Sequence, residues 1–446
     1  MRVSGLCIAI VGWLVVAHPI LLSAAAADDA DICPRASALA EQRLAACTRE
    51  IESGLLQGSD LATAYMNRGN ARQDSPGHGM LAAIADYDAA IAIRERLRDT
   101  LGENWPVPWR NDLAVAYMNR GIAKYNAPGQ GALKAIADYD AAIAIMERLR
   151  EALGEDCPVS WRNDLAYTYM HRGNAKQTAH GHGVTAAIAD YDLAIALMEP
   201  LRQALGEDWP VPWRNHLAAA HANRGIAKQH TPGYSQVAVI ADYDAAIPIM
   251  EGLREALGEH CPVPWRNDLA AAYMNRGIAK QDAPGYGVLR AIADYDAAIA
   301  IRERLREALG EDWPLPWRND LATAYMGRGI GKQDAPGHGM LAAIADYDAA
   351  IAIMEGLSEA LGEECPVPWR NSLAFCYFSR GLAHLQLEDR ATARADARQA
   401  ESLWLDLGRV IGQGPWAALA SSARDLRLAA GSAVAEEAAS PDERGV

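Results

Sequence analysis

The stretch Leu113-Ala-Val-Ala-Tyr-Met-Asn-Arg-Gly121, followed by Ala135-Ile-Ala-Asp-Tyr-Asp-Ala-Ala-Ile143, decides the fold, because close copies of it recur along the chain. The Arg-Gly step of these copies falls at intervals of 52 residues, at Gly69, Gly121, Gly173, Gly225, Gly277, Gly329 and Gly381. Self-similarity at one fixed period is typical of a solenoid, in which each repeat packs only against its neighbours. The sequence therefore predicts an all-α solenoid of stacked, antiparallel helix pairs.

Each repeat contains two helical patterns, a first helix A and a second helix B, separated by turn residues. In the second repeat Ala127-Pro-Gly-Gln-Gly131 forms the turn, since Pro and Gly interrupt helices. Gly154 ends helix B in a position where glycine takes a left-handed conformation. Residues Cys157 to Trp161 are interpreted as an extended connection to the next repeat. Two helices per repeat plus the end segments give about 16 helices and no sheet.

The repeat divides the chain into ranges whose boundaries lie at the recurring Trp residues. Residues 1–27 are a signal peptide, 28–56 an N-terminal half-repeat, and 409–446 an extra helix and a disordered tail. The seventh repeat lacks the Pro-Gly-x-Gly turn and carries more Arg and Asp in its second helix, as expected of a terminal cap. The seven repeats are 57–108, 109–160, 161–212, 213–264, 265–316, 317–368 and 369–408.

The N-terminal segment has the features of a secretory signal. Arg2 supplies a positive start, residues 6–17 an apolar run, and residues 23–27 the small residues before a cleavage site. An uncleaved membrane anchor is the alternative, because residues 6–27 are long enough to span a bilayer, but His18 and Pro19 interrupt them. We therefore expect a periplasmic or secreted bacterial protein, without stable membrane insertion after cleavage.

If the chain is exported, its cysteines can form disulfides. Cys33 and Cys47 are 14 residues apart and are candidates for a disulfide, and two separate buried thiols are the alternative. Three further cysteines alternate with Trp at one position of successive repeats, at Trp105, Cys157, Trp209, Cys261, Trp313 and Cys365. Duplication of a two-repeat block explains this row, and a row of exposed, metal-binding or cross-linking thiols is the alternative.

Composition and motifs exclude several function classes. The formal net charge of −15 disfavours nucleic acid and acidic membrane surfaces as partners. The turn histidines His78, His182 and His338 alternate with Gln or Tyr in other repeats, so no metal site is expected. Asp86 and Asp88 lie about 200° apart on a helix and are not a catalytic pair. With no nucleophile, phosphate-loop or zinc motif, we expect no enzyme and no cofactor.

The repeat resembles the tetratricopeptide repeat (TPR), over about residues 38–408. The similar residues in the first repeat are Tyr65-Met-Asn-Arg-Gly69 in helix A and Ala83, Tyr87 and Ala90 in helix B. The resemblance implies a right-handed superhelix of helix pairs that binds proteins or peptides along its concave face. This chain departs from the family in its period of 52 rather than about 34 residues. It also has Arg before the glycine, and Arg or Lys where the family has an aromatic after it.

The recurring Arg predicts an internal ladder of ion pairs, because it lies on an apolar face of helix A and a recurring Asp lies on the apolar half of helix B. Charges on buried faces must be paired. The alternative is that the Arg tips reach water while their stems pack. The expected pairs are Arg68 and Asp86, Arg120 and Asp138, Arg172 and Asp190, Arg224 and Asp242, Arg276 and Asp294, Arg328 and Asp346, and Arg380 and Asp396.

The resemblance also implies where a ligand binds. The family's contacts lie on helix A, three and two residues before the glycine and one and four after it. These positions are Met66, Asn67, Asn70, Gln73, Met118, Asn119, Ile122, Tyr125, Met170, His171, Asn174, Gln177, Met274, Asn275, Ile278 and Gln281. Adaptable Met and amide side chains suit a peptide groove. The alternative is that this face is closed by the long helix B of the next repeat.

Three functions remain open from the sequence. The favoured one is an exported, non-catalytic scaffold for proteins or peptides. The first alternative is an architectural spacer or self-assembling rod, and the second is a binder of cell-wall carbohydrate, suggested by the Trp rows. A binder should vary its inner positions between repeats, and these positions do vary, at Thr63, Val115, Tyr167, Ala219, Ala271, Thr323 and Phe375.

Overall fold

The computed structural model describes residues 31–33, 35, 38–75, 79–179, 183–335, 337, 339–412 and 414–431. Within these ranges the chain forms sixteen α-helices and six short 3-10 helices, and contains no strand, so the predicted all-α fold is confirmed. None of the described helices is long and apolar enough to cross a membrane. The predicted signal peptide, the turn histidines His78, His182 and His338, and the predicted tail beyond residue 431 lie outside the described residues.

The helices alternate between the two types that the sequence predicts. Helix α1 (Ala40–Glu52) precedes the repeats, and α16 (Trp416–Ala429) follows them. The A helices are α2 Gly58–Asp74, α4 Val107–Asn126, α6 Val159–Thr178, α8 Val211–Gln229, α10 Val263–Asp282, α12 Leu315–Asp334 and α14 Val367–Gln386. The B helices are α3 Met80–Leu101, α5 Ala132–Leu153, α7 Val184–Leu205, α9 Gln236–Leu257, α11 Val288–Leu309, α13 Met340–Leu361 and α15 Arg390–Ile411.

The chain divides into two compact units between Ala227 and Lys228, within helix α8. In each unit, consecutive helices form antiparallel pairs. In the first unit α3 packs against α2 and α4, and α5 against α4 and α6, and in the second unit α11 packs against α10 and α12, and α13 against α12 and α14. Neighbouring A helices also touch directly, α2 with α4 and α4 with α6 in the first unit, and α10 with α12 and α12 with α14 in the second. Each unit is therefore an α-solenoid, as the period predicts.

The glycine of the Arg-Gly step lets the two helices of a repeat cross closely. A Cβ atom on Gly173 would lie 2.7 Å from a ring carbon of Tyr191, which is fully buried in helix α7. The same contact joins Gly69 to Tyr87, Gly121 to Tyr139, Gly277 to Tyr295 and Gly329 to Tyr347. Because any side chain would push the tyrosine ring away, the small residue fixes the crossing point of each pair.

The connection from helix B to the next helix A is shorter than the sequence predicts. Gly154 ends helix α5 with a φ of +55° and opens a 3-10 turn, Gly154–Asp156. Helix α6 then begins at Val159, because the carbonyl of Pro158 accepts hydrogen bonds from the amides of Trp161 and Arg162. The expectation of an extended segment from Cys157 to Trp161 is therefore wrong, since only Cys157 and Pro158 are extended.

Both ends of the described chain are fastened. Cys33 and Cys47 form a disulfide that ties helix α1 to the residues before it. At the other end, Trp404 of α15 is fully buried in a cluster that includes Ala420 and Ala423 of α16. Helix α16 thus covers the apolar surface of the seventh repeat, as a terminal helix of a solenoid must.

Candidate functional site

The A helices carry the residues that the sequence assigns to ligand binding, and only one side of each A helix remains open. In helix α6, Asp164, Tyr167 and His171 lie within about 60° of one another at 100° per residue, on the side turned away from Gly173. They stand nine, six and two residues before the glycine. All three are half-buried, whereas Leu165 and Gly173 on other sides of the helix are buried.

The same three positions form what we call the open A-helix row. In the first unit the row is Asp60, Thr63, Asn67, Asp112, Val115, Asn119, Asp164, Tyr167, His171, His216, Ala219 and Asn223. In the second unit it is Asp268, Ala271, Asn275, Asp320, Thr323, Gly327, Ser372, Phe375 and Ser379. Every one of these residues except Gly327 is half-buried or exposed. The row is therefore the accessible surface that each unit presents along its A helices.

The methionines of the expected binding surface are not part of this open row. Met66, Met118, Met170 and Met274 are 7%, 7%, 5% and 8% exposed. Met66 packs in a cluster with Tyr87 and Leu113, so it lies between one repeat and the next. The reason is angular: three residues before the glycine, a side chain points about 60° from the glycine direction, into the helices packed there. As the closed-face alternative stated, these side chains belong to the core in this structure.

The other apolar members of the expected surface also pack inward. Ile122 and Tyr125 are half-buried against Ala135, Ile136 and Tyr139, and Ile278 lies beside a second cluster around Tyr295.

The amide members of the expected surface bind neighbouring helices. Asn70 accepts hydrogen bonds from the Tyr87 hydroxyl (2.8 Å) and from Nδ2 of Asn119 in the next repeat (3.1 Å). Asn174 makes the equivalent pair with Tyr191 and Asn223. Gln73 donates to the carbonyl of Asn119 (3.4 Å). Further along, Gln177 accepts from Tyr191 and Gln281 from Tyr295. These amides therefore set the register between repeats.

The structure brings the recurring Arg and Asp together. Arg172 and Asp190 are joined by a two-pronged contact of 2.9 and 2.7 Å, and Asp190 is 2% exposed. The same contact of 2.6 to 2.7 Å joins Arg68 to Asp86, Arg120 to Asp138, Arg276 to Asp294, Arg328 to Asp346 and Arg380 to Asp396. Arg224 and Asp242 belong to different units, and within those units they bind Asp192 and Lys228.

From the second repeat onward, each recurring Arg also reaches the repeat before it, which sequence reasoning missed. Arg172 binds Asp140 of helix α5 at 2.8 Å through its second terminal nitrogen. The corresponding second partners are Asp88 for Arg120, Asp244 for Arg276, Asp296 for Arg328 and Asp348 for Arg380. These carboxylates are about half exposed, so the Arg links a buried Asp of its own repeat to a surface Asp of the preceding one.

A basic residue three positions after the glycine is a second partner of the buried Asp. Lys176 binds Asp190 at 2.8 Å, and Lys124, Lys228, Lys280 and Lys332 repeat this contact. In the first repeat Arg72 takes the role of the lysine toward Asp86. Where a buried carboxylate contacts both cations, its negative charge is compensated. The tetratricopeptide resemblance implies an aromatic residue at this position. Lys stands there in this chain because the buried acid needs a cation.

The open row contains an aromatic cluster in the third and fourth repeats. The ring of Tyr167 lies 4.3 Å from that of His171 and 4.2 Å from that of His216, measured between centroids. Burial lowers the pKa of both histidines to about 4, and the proximity of His216 adds to the effect on His171. At neutral pH the cluster is therefore an uncharged, partly apolar surface.

The open row also contains one carboxylate in most repeats, and these fall into two classes. Asp112 is bound by the buried Arg94 at 3.0 Å, and Asp320 by the buried Arg302 at 3.1 Å. Asp164 and Asp268 have no salt bridge within the described residues, because the arginine position on the preceding B helix is Met146 or Met250. Burial raises the pKa of both Asp164 and Asp268 to about 6.

The recurring cysteines, which the sequence left open as surface thiols, are buried. Cys157, Cys261 and Cys365 are 3% to 4% exposed, which excludes the alternative of a row of exposed thiols. Within the described residues no group of three or more His, Cys, Asp or Glu side chains could hold a metal ion.

Comparison with known proteins finds solved structures of low sequence identity and modest structural similarity. The chain resembles a signal transduction ATPase with numerous domains from Pyrococcus horikoshii, which carries a tetratricopeptide repeat sensor (10% identity, TM-score 0.44). That match covers 83% of this chain and 49% of the other, so the chain spans about half the length of that protein. No protein-family model and no curated protein matches.

Two further similar structures are Rap proteins. Apo RapI is 10% identical with a TM-score of 0.41, and the match covers 95% of this chain and 99% of RapI. A Rap protein complexed with competence and sporulation factor is 14% identical with a TM-score of 0.38, over 94% and 99% of the two chains. The fold of each unit, a solenoid of antiparallel α-helix pairs, follows from its own helices and their contacts. Of the four positions that the tetratricopeptide resemblance implies for ligand binding, the open row contains only the one two residues before the glycine.

Proposed function

We propose that the chain is an exported, non-catalytic scaffold that binds a protein or peptide along the open A-helix row. The row is accessible in both units and differs from repeat to repeat, from Asp and Tyr in the third repeat to His and Ala in the fourth. A uniform spacer has no need for such variation, whereas a surface that reads a sequence does.

The observation that carries the proposal is the pair of carboxylates without a cation. Asp164 is half-buried and Asp268 is exposed, and the surrounding protein raises the pKa of each to about 6, yet neither has a basic partner within the described residues. A partially buried carboxylate is stabilised when a cation approaches it. Asp112 and Asp320 occupy the same position and receive this cation from the chain itself. We infer that the partner supplies a Lys, Arg or amino-terminal cation to Asp164 and Asp268.

The aromatic cluster defines a second element of the partner. Tyr167, His171 and His216 present uncharged rings beside Asp164 on the row. Aromatic faces attract cations and pack on apolar side chains. The preferred ligand is thus a peptide segment in which a basic residue lies close to an apolar or aromatic one.

Fluorescence anisotropy with labelled peptides tests this proposal. We expect a Lys-rich peptide with interspersed Leu to bind, with an affinity that falls as salt rises, and a Glu-rich peptide of equal length not to bind. Asp164→Asn combined with Asp268→Asn should weaken binding at least fivefold. The control Asp156→Asn removes one charge from an exposed turn outside the row. Equal affinity for the two peptides, or equal loss in the control, would refute the proposal.

Export is tested separately, because it does not depend on the ligand. We propose that the mature chain begins near Asp28 and resides in the periplasm or outside the cell. Mass spectrometry of the protein recovered from each compartment should find a chain without residues 1–27. A full-length chain in the membrane fraction would support the anchor alternative instead.

A further inference from the structure

Two cavities lie where a helix B ends and the next repeat begins, away from the open A-helix row. The cavity between the first and second repeats has a volume of about 390 Å³ and is lined by Arg98, Arg110 and Arg148. The cavity between the fourth and fifth repeats has a volume of about 210 Å³ and is lined by residues three repeats further on, which are Arg254, Arg266 and Arg304. Each cavity lies within one of the two units and is partly open to solvent.

The three arginines of a cavity come from three different helices. Arg254 lies near the end of α9, Arg266 in the first turns of α10, and Arg304 in the second half of α11. Within the described residues none of these three guanidinium groups forms a side-chain hydrogen bond or salt bridge with the protein. The Nε atom of Arg266 is buried without an acceptor. A buried donor without a protein partner is available to an acceptor from a ligand or from water.

The charge balance of each cavity is positive. Glu259 is the one acidic residue in the lining of the second cavity, and Glu103 in that of the first. In the first cavity Arg98 is paired with Asp99 at 3.0 Å and lies 3.7 Å from Glu95. Arg110 donates to the carbonyls of Trp105 and Glu103, at 3.0 and 3.4 Å, which anchors its guanidinium, while Arg148 has no partner within the described residues. Three guanidinium groups that line one cavity favour an anion there, because an anion offsets their like charges.

The arginine triad is a property of these two junctions. The residues equivalent to Arg148 and Arg304 in the third, fourth, sixth and seventh repeats are Pro200, Gly252, Gly356 and Asp406. The remaining two arginines occur at most junctions, as at Arg150 and Arg162. The third arginine therefore distinguishes two junctions from the rest, and the cavities described above lie at those two junctions.

We propose that these two cavities bind a small oxyanion, carboxylate or phosphate, that carries an apolar group. Guanidinium groups bind both kinds of oxyanion through paired hydrogen bonds. The apolar part of the ligand has its own contacts, since Leu149 and Ile145 line the first cavity and Leu305 and Ile301 the second. The site lies apart from the peptide-binding row, so it adds a second class of ligand to the molecule.

Isothermal titration of the full chain with inorganic phosphate and with hexanoate tests the proposal. We expect saturable binding of both probes with two sites per chain, and hexanoate to bind more tightly because the cavities have apolar walls. Arg148→Gln and Arg304→Gln should each remove one site, and the double variant both. Because both arginines are exposed and unpaired, these variants should fold normally, which far-ultraviolet circular dichroism checks.

The matched control is Arg290→Gln, which removes the same charge from an exposed arginine on helix α11, the helix that carries Arg304. It should retain both sites. Unchanged binding in the double variant, or equal loss in the control, would show that the probes respond to net charge and would overturn the proposal. Binding of phosphate without hexanoate would overturn the assignment of an apolar group. None of these outcomes bears on the peptide proposal, which rests on Asp164 and Asp268.

Discussion

At the scale of single residues, the molecule is stabilised by charges that are buried and compensated. Asp190 is 2% exposed, and it is bound by both Arg172 and Lys176. Arg172 then extends to the half-exposed Asp140 of the preceding repeat. Because burial removes water from the inner carboxylate only, the inner and outer contacts of the same arginine should differ greatly in energy.

We predict that Arg172→Met destabilises the protein by about 1–3 kcal/mol, below the ~3–5 kcal/mol of a fully broken buried pair, because Lys176 still compensates Asp190. Asp140→Asn, which removes only the exposed contact, should cost at most about 1 kcal/mol. Urea denaturation followed by circular dichroism measures both. A loss for Asp140→Asn as large as that for Arg172→Met would contradict the distinction between inner and outer contacts.

The acid response of the third repeat should reflect two opposing groups. The pKa of His171 is about 4 in the folded chain, below its ordinary 6.5, so folding loses stability as pH falls from 6.5 to 4. The pKa of Asp164 is about 6, above its ordinary 3.8, so folding loses stability as pH rises from 4 to 6. The two effects partly cancel in the wild-type chain.

Single variants should separate these effects. Asp164→Asn should steepen the fall in melting temperature between pH 6.5 and 4.5, and His171→Asn, which installs the residue of the neighbouring repeats, should reduce it. Thermal melts at half-unit pH intervals provide the measurement. Parallel pH profiles for the wild type and both variants would show that neither group is perturbed as described.

At the scale of helices, the crossing of A and B is fixed by one small residue and one large one. Gly173 meets the ring of Tyr191, and the hydroxyl of that tyrosine is held by Asn174 and Gln177 of the same A helix. The tyrosine therefore has no free direction in which to retreat. The glycine is therefore required at this position, because any side chain there would collide with the tyrosine ring.

We predict that Gly173→Ala destabilises the protein by about 1–3 kcal/mol, because the added Cβ would lie 2.7 Å from the Tyr191 ring. Gly252 supplies the control, since it lies within helix α9 with nothing within 4 Å of a built Cβ. Gly252→Ala should stabilise by roughly 0.5–1 kcal/mol through the helix propensity of alanine. Chemical denaturation measures the change in stability of both variants. Equal changes in the two variants would disprove the claim that Gly173 is needed for the close crossing of the helices.

At the scale of the whole molecule, repeats stack without a single central core, so the ends need separate protection. The disulfide between Cys33 and Cys47 secures the first helix, and helix α16 covers Trp404 and Leu407 of the last pair. Between the ends, small differences among repeats distinguish the two surfaces for which we propose ligands. Met146 stands at the repeat position of Arg94, so Asp164 has no salt bridge within the described residues. Arg304 stands at the repeat position of Gly252 and Gly356 and lines the second of the cavities proposed to bind an anion.

We predict that a chain ending at Gly412 is less stable than one ending at Gly431, because removal of α16 exposes the cluster around Trp404 to water. The truncated chain should show an earlier first unfolding step and enhanced binding of a hydrophobic dye. Differential scanning calorimetry and dye fluorescence on the two chains test this. Identical thermograms would show that α16 does not cap the seventh repeat.

The sequence by itself determined the helices, the crossing glycine and the buried Asp partners of most recurring arginines, but not the exposed Asp partners in the preceding repeats. These features are local or repeat at one fixed spacing, and a period places residues at known angles around a helix. The angle of a residue on its helix does not determine which neighbouring helix covers that residue. Only the tertiary structure showed that Met66, Met118, Met170 and Met274 are buried, because that depends on how the long B helices pack across repeats.

The same limit explains what the sequence did not reveal about the sites. Asp164 and Asp112 stand at one repeat position and look equivalent in the sequence. They differ because the residue that approaches them lies on another helix, Met146 in one case and Arg94 in the other. The arginine cavities likewise join three helices whose residues are up to 50 positions apart, from Arg98 to Arg148. Contacts of this kind arise from the stacking geometry, which the repeat pattern implies but does not specify.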